Sequence, residues 1–200
     1  MKLSPRLLAA AVAFCAAPVV SLAGTVVPVD LELSLLIDVS GSINAAEFDL
    51  QRTGYSNAFR TPGIKGQITG TTNGRLGRIA VNLIYWSSAN QQVESVAWTL
   101  LDSVAACDSF ADAIDATARP FSGQTGIQGA LDFARPRFAS NNFDGFRKVI
   151  DISSDGENND LQAARTLAQA RTDTLAQVDA INALVIGNAA LFNLSLIHIS

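Results

Sequence analysis

Along residues 31–37 (Leu-Glu-Leu-Ser-Leu-Leu-Ile) apolar and polar positions alternate and then merge into a continuous apolar run, the pattern of a strand entering a sheet covered on both faces. A helix follows. Asn44 and Glu47 have the spacing of an N-cap and its reciprocal acid, and Phe48, Tyr55 and Phe59 recur on one helical face. Residues 61–77 contain Pro62 and glycines 63, 66, 70, 74 and 77, which predicts a surface excursion with no long element. Residues 78–86 read as a second buried strand and 92–100 as a weaker third; the short connection between them predicts an antiparallel hairpin at a sheet edge. Helices are predicted over 108–118, where Phe110, Ala113, Ile114 and Thr117 share a face, and over 126–139, where Pro136 should shorten the last turn. Residues 147–153 form another buried-strand run, followed by an Ala-rich helix over 161–176 and a strand over 180–186. The alternation predicts an α/β fold with a doubly wound, mostly parallel sheet and one antiparallel edge strand.

The N-terminus has a different pattern. Lys2 and Arg6 precede an apolar run over residues 7–20 and the small-residue site Ser21-Leu22-Ala23, so residues 1–23 read as a secretory signal peptide. Pro18 and the shortness of the run argue against a retained membrane anchor, and no membrane span is expected after cleavage. Export to the periplasm or the medium follows. Removing the leader takes away two basic residues and no acidic one, making the remainder more acidic than the formal −4 of the whole chain. That balance gives nucleic-acid binding no electrostatic support. Of the two cysteines only Cys107 lies beyond the leader, so no internal disulfide is expected and a buried structural thiol is the simplest role for it.

The 200 residues suffice for one domain with a sizeable core. Residues 24–30 read as a linker, 31–190 as the domain and 191–200 as a tail. That tail (Leu-Phe-Asn-Leu-Ser-Leu-Ile-His-Ile-Ser) lacks a helical period and a cap and reads as non-native sequence at the end of a truncated chain.

The candidate chemistry lies at the end of the first strand. Asp38-Val39-Ser40-Gly41-Ser42 places one carboxylate and two hydroxyls on a turn at the carboxyl end of a strand, where ligands bind in open parallel sheets. Magnesium, a small hard cation that prefers oxygen and retains waters, suits such donors. Bound by two neutral hydroxyls with the carboxylate set back, it would keep unneutralised positive charge and a need for an anionic ligand.

Asp38-x-Ser40-x-Ser42, Thr125 in Ser122-Gly123-Gln124-Thr125-Gly126, and Asp155-Gly156 after a later buried strand together resemble the von Willebrand factor type A domain and its metal-ion-dependent adhesion site. The resemblance covers about residues 31–187. Phrases such as Gln51-Arg52-Thr53-Gly54-Tyr55 and Tyr85-Trp86-Ser87 are similar to an exported bacterial branch of undefined role. It implies that Ser40, Ser42 and Thr125 bind the metal directly, while Asp38 and Asp155 hold its waters or coordinate it in one of two states. The metal is expected to be Mg2+, with Mn2+ or Ca2+ as alternatives. It also implies a protein partner that presents an acidic side chain to the ion, and a final strand and helix that this chain lacks, leaving a sheet edge and an apolar face open.

Each feature has a plainer reading. Thr125 alone would be the N-cap of the next helix, Asp155-Gly156 alone a turn, and Glu157-Asn158-Asn159-Asp160 a solvated loop. Gly123-x-x-Gly126-x-x-Gly129 is too weak a pattern to indicate a nucleotide. Tyr85 and Trp86 read as packing residues. A structural component whose metal only steadies the loops is the main rival function. A hydrolase is the third: the single histidine is His198 in the tail, and there is no Gly-x-Ser-x-Gly elbow or phosphate loop, so the chain reads as a binding module and not an enzyme.

Overall fold

The computed structural model describes residues 25–156, 158–160 and 165–186. The predicted leader, the tail at 191–200 and the start of the helix predicted from residue 161 lie outside them.

Five strands form the main sheet: β2 (Leu31–Asp38), β3 (Ile79–Trp86), β4 (Gln92–Leu101), β6 (Lys148–Ser154) and β7 (Ala180–Val185). Their order is β4-β3-β2-β6-β7. All neighbours are parallel except β4, which runs antiparallel to β3 at one edge. This is the doubly wound, mostly parallel sheet the sequence predicts. The chain leaves β2 toward β3 on one side and returns to β6 on the other, so the strand order reverses at β2. Its carboxyl end is the topological switch point.

A small parallel pair, β1 (Val27–Val29) with β5 (Phe143–Gly145), lies apart from this sheet. The stretch read as a linker is therefore partly built into the fold, which starts before residue 31. Its Val-Pro-Val is too short to show a period of two, and the pairing depends on contacts more than a hundred residues away.

Helices cover the two faces unequally. On one face α1 (Ala45–Arg60) and α3 (Val104–Asp115) pack Phe48, Phe59, Phe110 and Ile114 against Leu35, Ile37, Val81 and Leu83. On the other, α4 (Ile127–Ala134) and α5 (Leu167–Leu175) enclose Leu36, Ile84, Trp86, Ile150 and Ile152. Strands sandwiched this way need apolar residues at successive positions, and all eight residues of β3 are buried. Cys107 is a buried free thiol within the first core. On the α1 side, a groove of about 510 Å3 opens between α1 and β7, lined by Leu50, Tyr55, Ala58 and Leu184.

Two elements differ from expectation, and a third ends where the sequence predicts. Residues 61–77 hold a helix, α2 (Pro62–Thr69), started by Pro62 in its first turn, with Ile68 buried and Lys65 paired to Asp108 at 2.5 Å. Tertiary packing and that ion pair outweigh the poor propensity of its two glycines. Helix α3 begins four residues before the predicted start, because the Ser103 hydroxyl accepts a bond from Ala106 N and caps it there. Helix α4 gives way at Pro136 to a 3-10 turn over Arg135–Ala139, as a proline lacking an N–H requires.

Candidate metal centre

Three loops, one after β2, one between α3 and α4 and one after β6, bring the predicted residues together. The first begins at Asp38, whose Oδ1 accepts the Ser40 N–H at 2.7 Å and whose Oδ2 accepts the Ser154 hydroxyl at 2.5 Å. The Asx-type bond turns the chain sharply out of the strand. The turn ends where Asn44 caps α1: its Oδ1 accepts from Ala46 N and Glu47 N, and Glu47 accepts from Asn44 N in return. This is the capping box read from the sequence.

Between strand and cap, the Ser40 and Ser42 hydroxyl oxygens stand 3.1 Å apart. Thr125 Oγ1 on the second loop donates to Ser40 Oγ at 3.3 Å, and Ser42 Oγ donates to Asp155 Oδ1 on the third at 2.8 Å. Asp38, Ser40, Ser42, Thr125 and Asp155 thus form one connected cluster. Asp38, Ser40 and Thr125 are 0 %, 1 % and 2 % exposed, whereas Ser42 opens to solvent.

Burial pushes the Asp38 carboxyl up to about 6; the bonds from Ser154 and Ser40 pull it down, and Asp155 nearby adds to the rise. Among the described residues no cationic side chain is paired with this carboxylate.

The donor set fits a hard divalent ion. Oxygens about 2.1 Å from an octahedral ion lie about 3 Å from each neighbour, close to the hydroxyl spacings here. Among the described residues no group of three or more His, Cys, Asp or Glu side chains could hold a metal, which leaves hydroxyls and two carboxylates, donors for magnesium-like ions and not for soft metals.

Several residues support the site in roles that the sequence did not indicate. The Arg119 guanidinium donates to the carbonyls of Val39, Ser40 and Phe121, with Nη2 to Ser40 O at 2.6 Å, and so ties the first loop to the second. Buried Gln51 of α1 donates to the Asp38 carbonyl and accepts from Ser153. The β3–β4 turn also clasps the second loop: Ser87 Oγ accepts from Gly123 N, Ser88 Oγ from Gln124 N, and Ser87 O from Gly126 N. No local motif could have found these, because each joins positions far apart in the chain.

Two plainer readings are corrected. Thr125 is not the cap of α4: Gly126 occupies that position without a side-chain bond, and the Ile127 N–H is taken at 2.8 Å by Asn158 Oδ1 from the third loop. The Thr125 hydroxyl is thereby left to face Ser40. Residues 158–160 are only in part a solvated loop: Asn159 is exposed, but Asp160 is 5 % exposed and its carboxylate accepts from Ala89 N, so the stretch also acts as a clamp. The glycines at 126 and 129 form a packing seam, since a Cβ on either would run into the backbone of Ala89. Tyr85 and Trp86 are fully buried, as packing residues are.

The architecture is that of the von Willebrand factor type A domain. It is similar to a von Willebrand factor type A structure from Catenulispora acidiphila, with TM-score 0.57 and 15 % identity over 80 % of this chain and 34 % of that one. It is also similar to proximal thread matrix protein 1 of the mussel byssus, with TM-score 0.61 and 16 % identity over 81 % of this chain and 39 % of that one. A structure of that mussel protein with a zinc-occupied MIDAS motif matches with TM-score 0.56 and 18 % identity, over 81 % and 39 % of the two chains. The chain spans about two fifths or less of the length of these proteins. By sequence, it belongs to the family described as "Protein of unknown function (DUF1194)", whose profile matches residues 28–197. No curated protein matches it. Among the described residues, no helix is long and apolar enough to cross a membrane.

Proposed function

We propose that this chain is an exported von Willebrand A-type binding module, periplasmic or secreted, that coordinates Mg2+ and through it captures an acidic side chain of a protein partner. Ser40, Ser42 and Thr125 hold the ion directly, and Asp38 and Asp155 orient its waters. The ion supplies a Lewis-acidic position for the partner's carboxylate. Mn2+ is a ready substitute, being equally suited to oxygen donors.

What carries this function is the meeting of three hydroxyls from two loops, 3.1 and 3.3 Å apart, at the switch point of the sheet, over a buried carboxylate with no cationic partner among the described residues. With three neutral hydroxyls in contact and both carboxylates set back behind waters, the ion's inner shell carries no anion, which favours a carboxylate from outside. The mussel protein with zinc at its MIDAS motif supports divalent-ion binding on this fold.

Surface-immobilised acidic and amidated versions of one short peptide, presented to the full chain with Mg2+ or with chelator, test the function. Retention on the acidic peptide only with Mg2+ is expected. Equal retention with chelator would assign the ion a purely structural role.

A further inference from the structure

Ser87 directly follows β3, is fully buried, and grips the second loop on both sides of Thr125. Its hydroxyl accepts from Gly123 N at 2.7 Å and donates to the Gln124 carbonyl at 3.1 Å, and its own carbonyl accepts from Gly126 N at 2.9 Å. The Gly123 peptide passes this hold on: its carbonyl accepts at 2.7 Å from the N–H of Gly41, the residue between Ser40 and Ser42. Among the described residues this is the one main-chain bond between the first and second loops. Arg119 also joins them, but at Phe121, whereas Gly123 is closer along the chain to Thr125. Asn159 and Asp160 take the N–H and carbonyl of Thr125 itself and tie it to the third loop, not to the first. The fit around Gly123 leaves no room for a side chain, since a Cβ there would stand 2.4 Å from both Ser88 Oγ and Gln91 Oε1 and 3.0 Å from Ser87 Oγ.

We infer that Ser87 is a positioning residue of the metal centre: through the Gly123 peptide it registers the second loop against the first and so sets the spacing between the Thr125 and Ser40 hydroxyls. The inference rests on the metal-binding function proposed above. The anchor suits this role, because β3 is buried along its whole length and Trp86 O, one residue before Ser87, accepts from Val39 N of the first loop at 2.9 Å. Both hydroxyl-bearing loops are thus referred to the same strand end, and a site fixed to a rigid element is more precise than one on loops alone. Removing the Ser87 hydroxyl leaves the Gly123 N–H without its acceptor and frees that peptide. The second loop then loses its fixed height over Gly41, and the three hydroxyls depart from the near-octahedral positions that magnesium demands.

Calorimetric titration of Mg2+ into the chelator-treated full chain tests this for the wild type, Ser87→Ala and Gly145→Ala, with thermal unfolding and amide hydrogen exchange of each metal-free protein alongside. Gly145→Ala is the control for lost stability alone: a Cβ there would stand 2.8 Å from Arg147 O and 2.9 Å from Glu32 N, on β5, which contributes nothing to the three loops. Ser87→Ala should weaken Mg2+ binding by about 10- to 100-fold, the usual effect of removing an outer-shell partner. It should also speed exchange at the Gly41 amide, a group that Ser87 does not touch. Gly145→Ala should lower the unfolding temperature while its Mg2+ affinity and Gly41 exchange stay close to those of the wild type. If Ser87→Ala does not fold, Ser87→Cys, whose sulfur is only a weak acceptor in the same place, carries the test with a smaller loss expected. Unchanged Mg2+ affinity in the folded Ser87 variant, a loss without faster Gly41 exchange, or an equal loss in Gly145→Ala would overturn the role of Ser87. A folded wild type that binds no Mg2+ would instead remove the metal function itself, and the inference with it.

Discussion

Replacing Asp38 by asparagine tests what the buried carboxylate is for. Asn has the same shape and no charge: its Oδ1 can accept the Ser40 N–H as Asp38 Oδ1 does, and its amide can donate to Ser154 Oγ. Only the charge is lost. Burial raises the Asp38 carboxyl from 3.8 to about 6, which corresponds to about 3 kcal/mol of destabilisation when the group is ionised at neutral pH. Because the folded-state value lies above the unfolded one, the stability is fully present below 3.8 and is lost as the pH rises through 6. Metal-free wild type should therefore weaken between pH 4 and neutrality, while Asp38→Asn should be the more stable protein at pH 7.5 and lose its advantage near pH 4. For a chain of this size each 1 kcal/mol moves the unfolding midpoint by about 2–4 °C, well within the reach of circular dichroism in the presence of chelator. With Mg2+ at a thousandfold excess over Kd the order should reverse, since only the wild type gains binding free energy, about 4.1 kcal/mol under those conditions. A chelated Asp38→Asn protein less stable than wild type at pH 7.5, with the same deficit at pH 4, would refute the view that this carboxylate awaits a cation.

Other outcomes follow from the same geometry. Mg2+ affinity should fall as the pH is lowered through about 6, with a proton released from Asp38 on binding, measurable by calorimetry in two buffers of different ionisation enthalpy. Gly126→Ala and Gly129→Ala push a methyl into the backbone of Ala89 and should each cost about 1–3 kcal/mol in urea unfolding, whereas Gly66→Ala in α2, with no atom within 4 Å, should stabilise by about 0.5–1 kcal/mol. Arg119→Ala removes the bonds to the Val39, Ser40 and Phe121 carbonyls and should lower Mg2+ affinity about tenfold while speeding amide hydrogen exchange in the first loop.

The fold was legible because its strands are buried on both faces: a nearly continuous apolar run such as 78–86, set among helical periods, fits a strand covered on both sides and little else. The capping box at Asn44 and the stop at Pro136 were legible because they are local, set by residues within one turn of each other. The sequence misled where tertiary contact overrides propensity. Glycine-rich α2 folds because Ile68 is buried and Lys65 pairs with Asp108, facts absent from its own composition. Around the site, the five candidate residues were recognisable from residue type and order, whereas their supports were not. Arg119, Gln51, Ser87 and Asn159 act through groups well outside their own turn of chain, up to about 80 residues away for Arg119, which leaves no spacing to read. The Asn158–Asp160 stretch has the composition of a solvated loop, and only its bonds to Thr125, Ile127 and Ala89 make it a clamp.

The most direct measurement is a calorimetric titration of Mg2+ into the chelator-treated full chain at pH 7.5, beside a Ser40→Ala, Thr125→Ala double variant whose fold is verified by circular dichroism. Saturable one-to-one binding to the wild type that is lost in the variant is the predicted result. Equal binding by both, or none by the folded wild type even with added acetate to complete the ion's shell, would contradict a metal centre built on these hydroxyls.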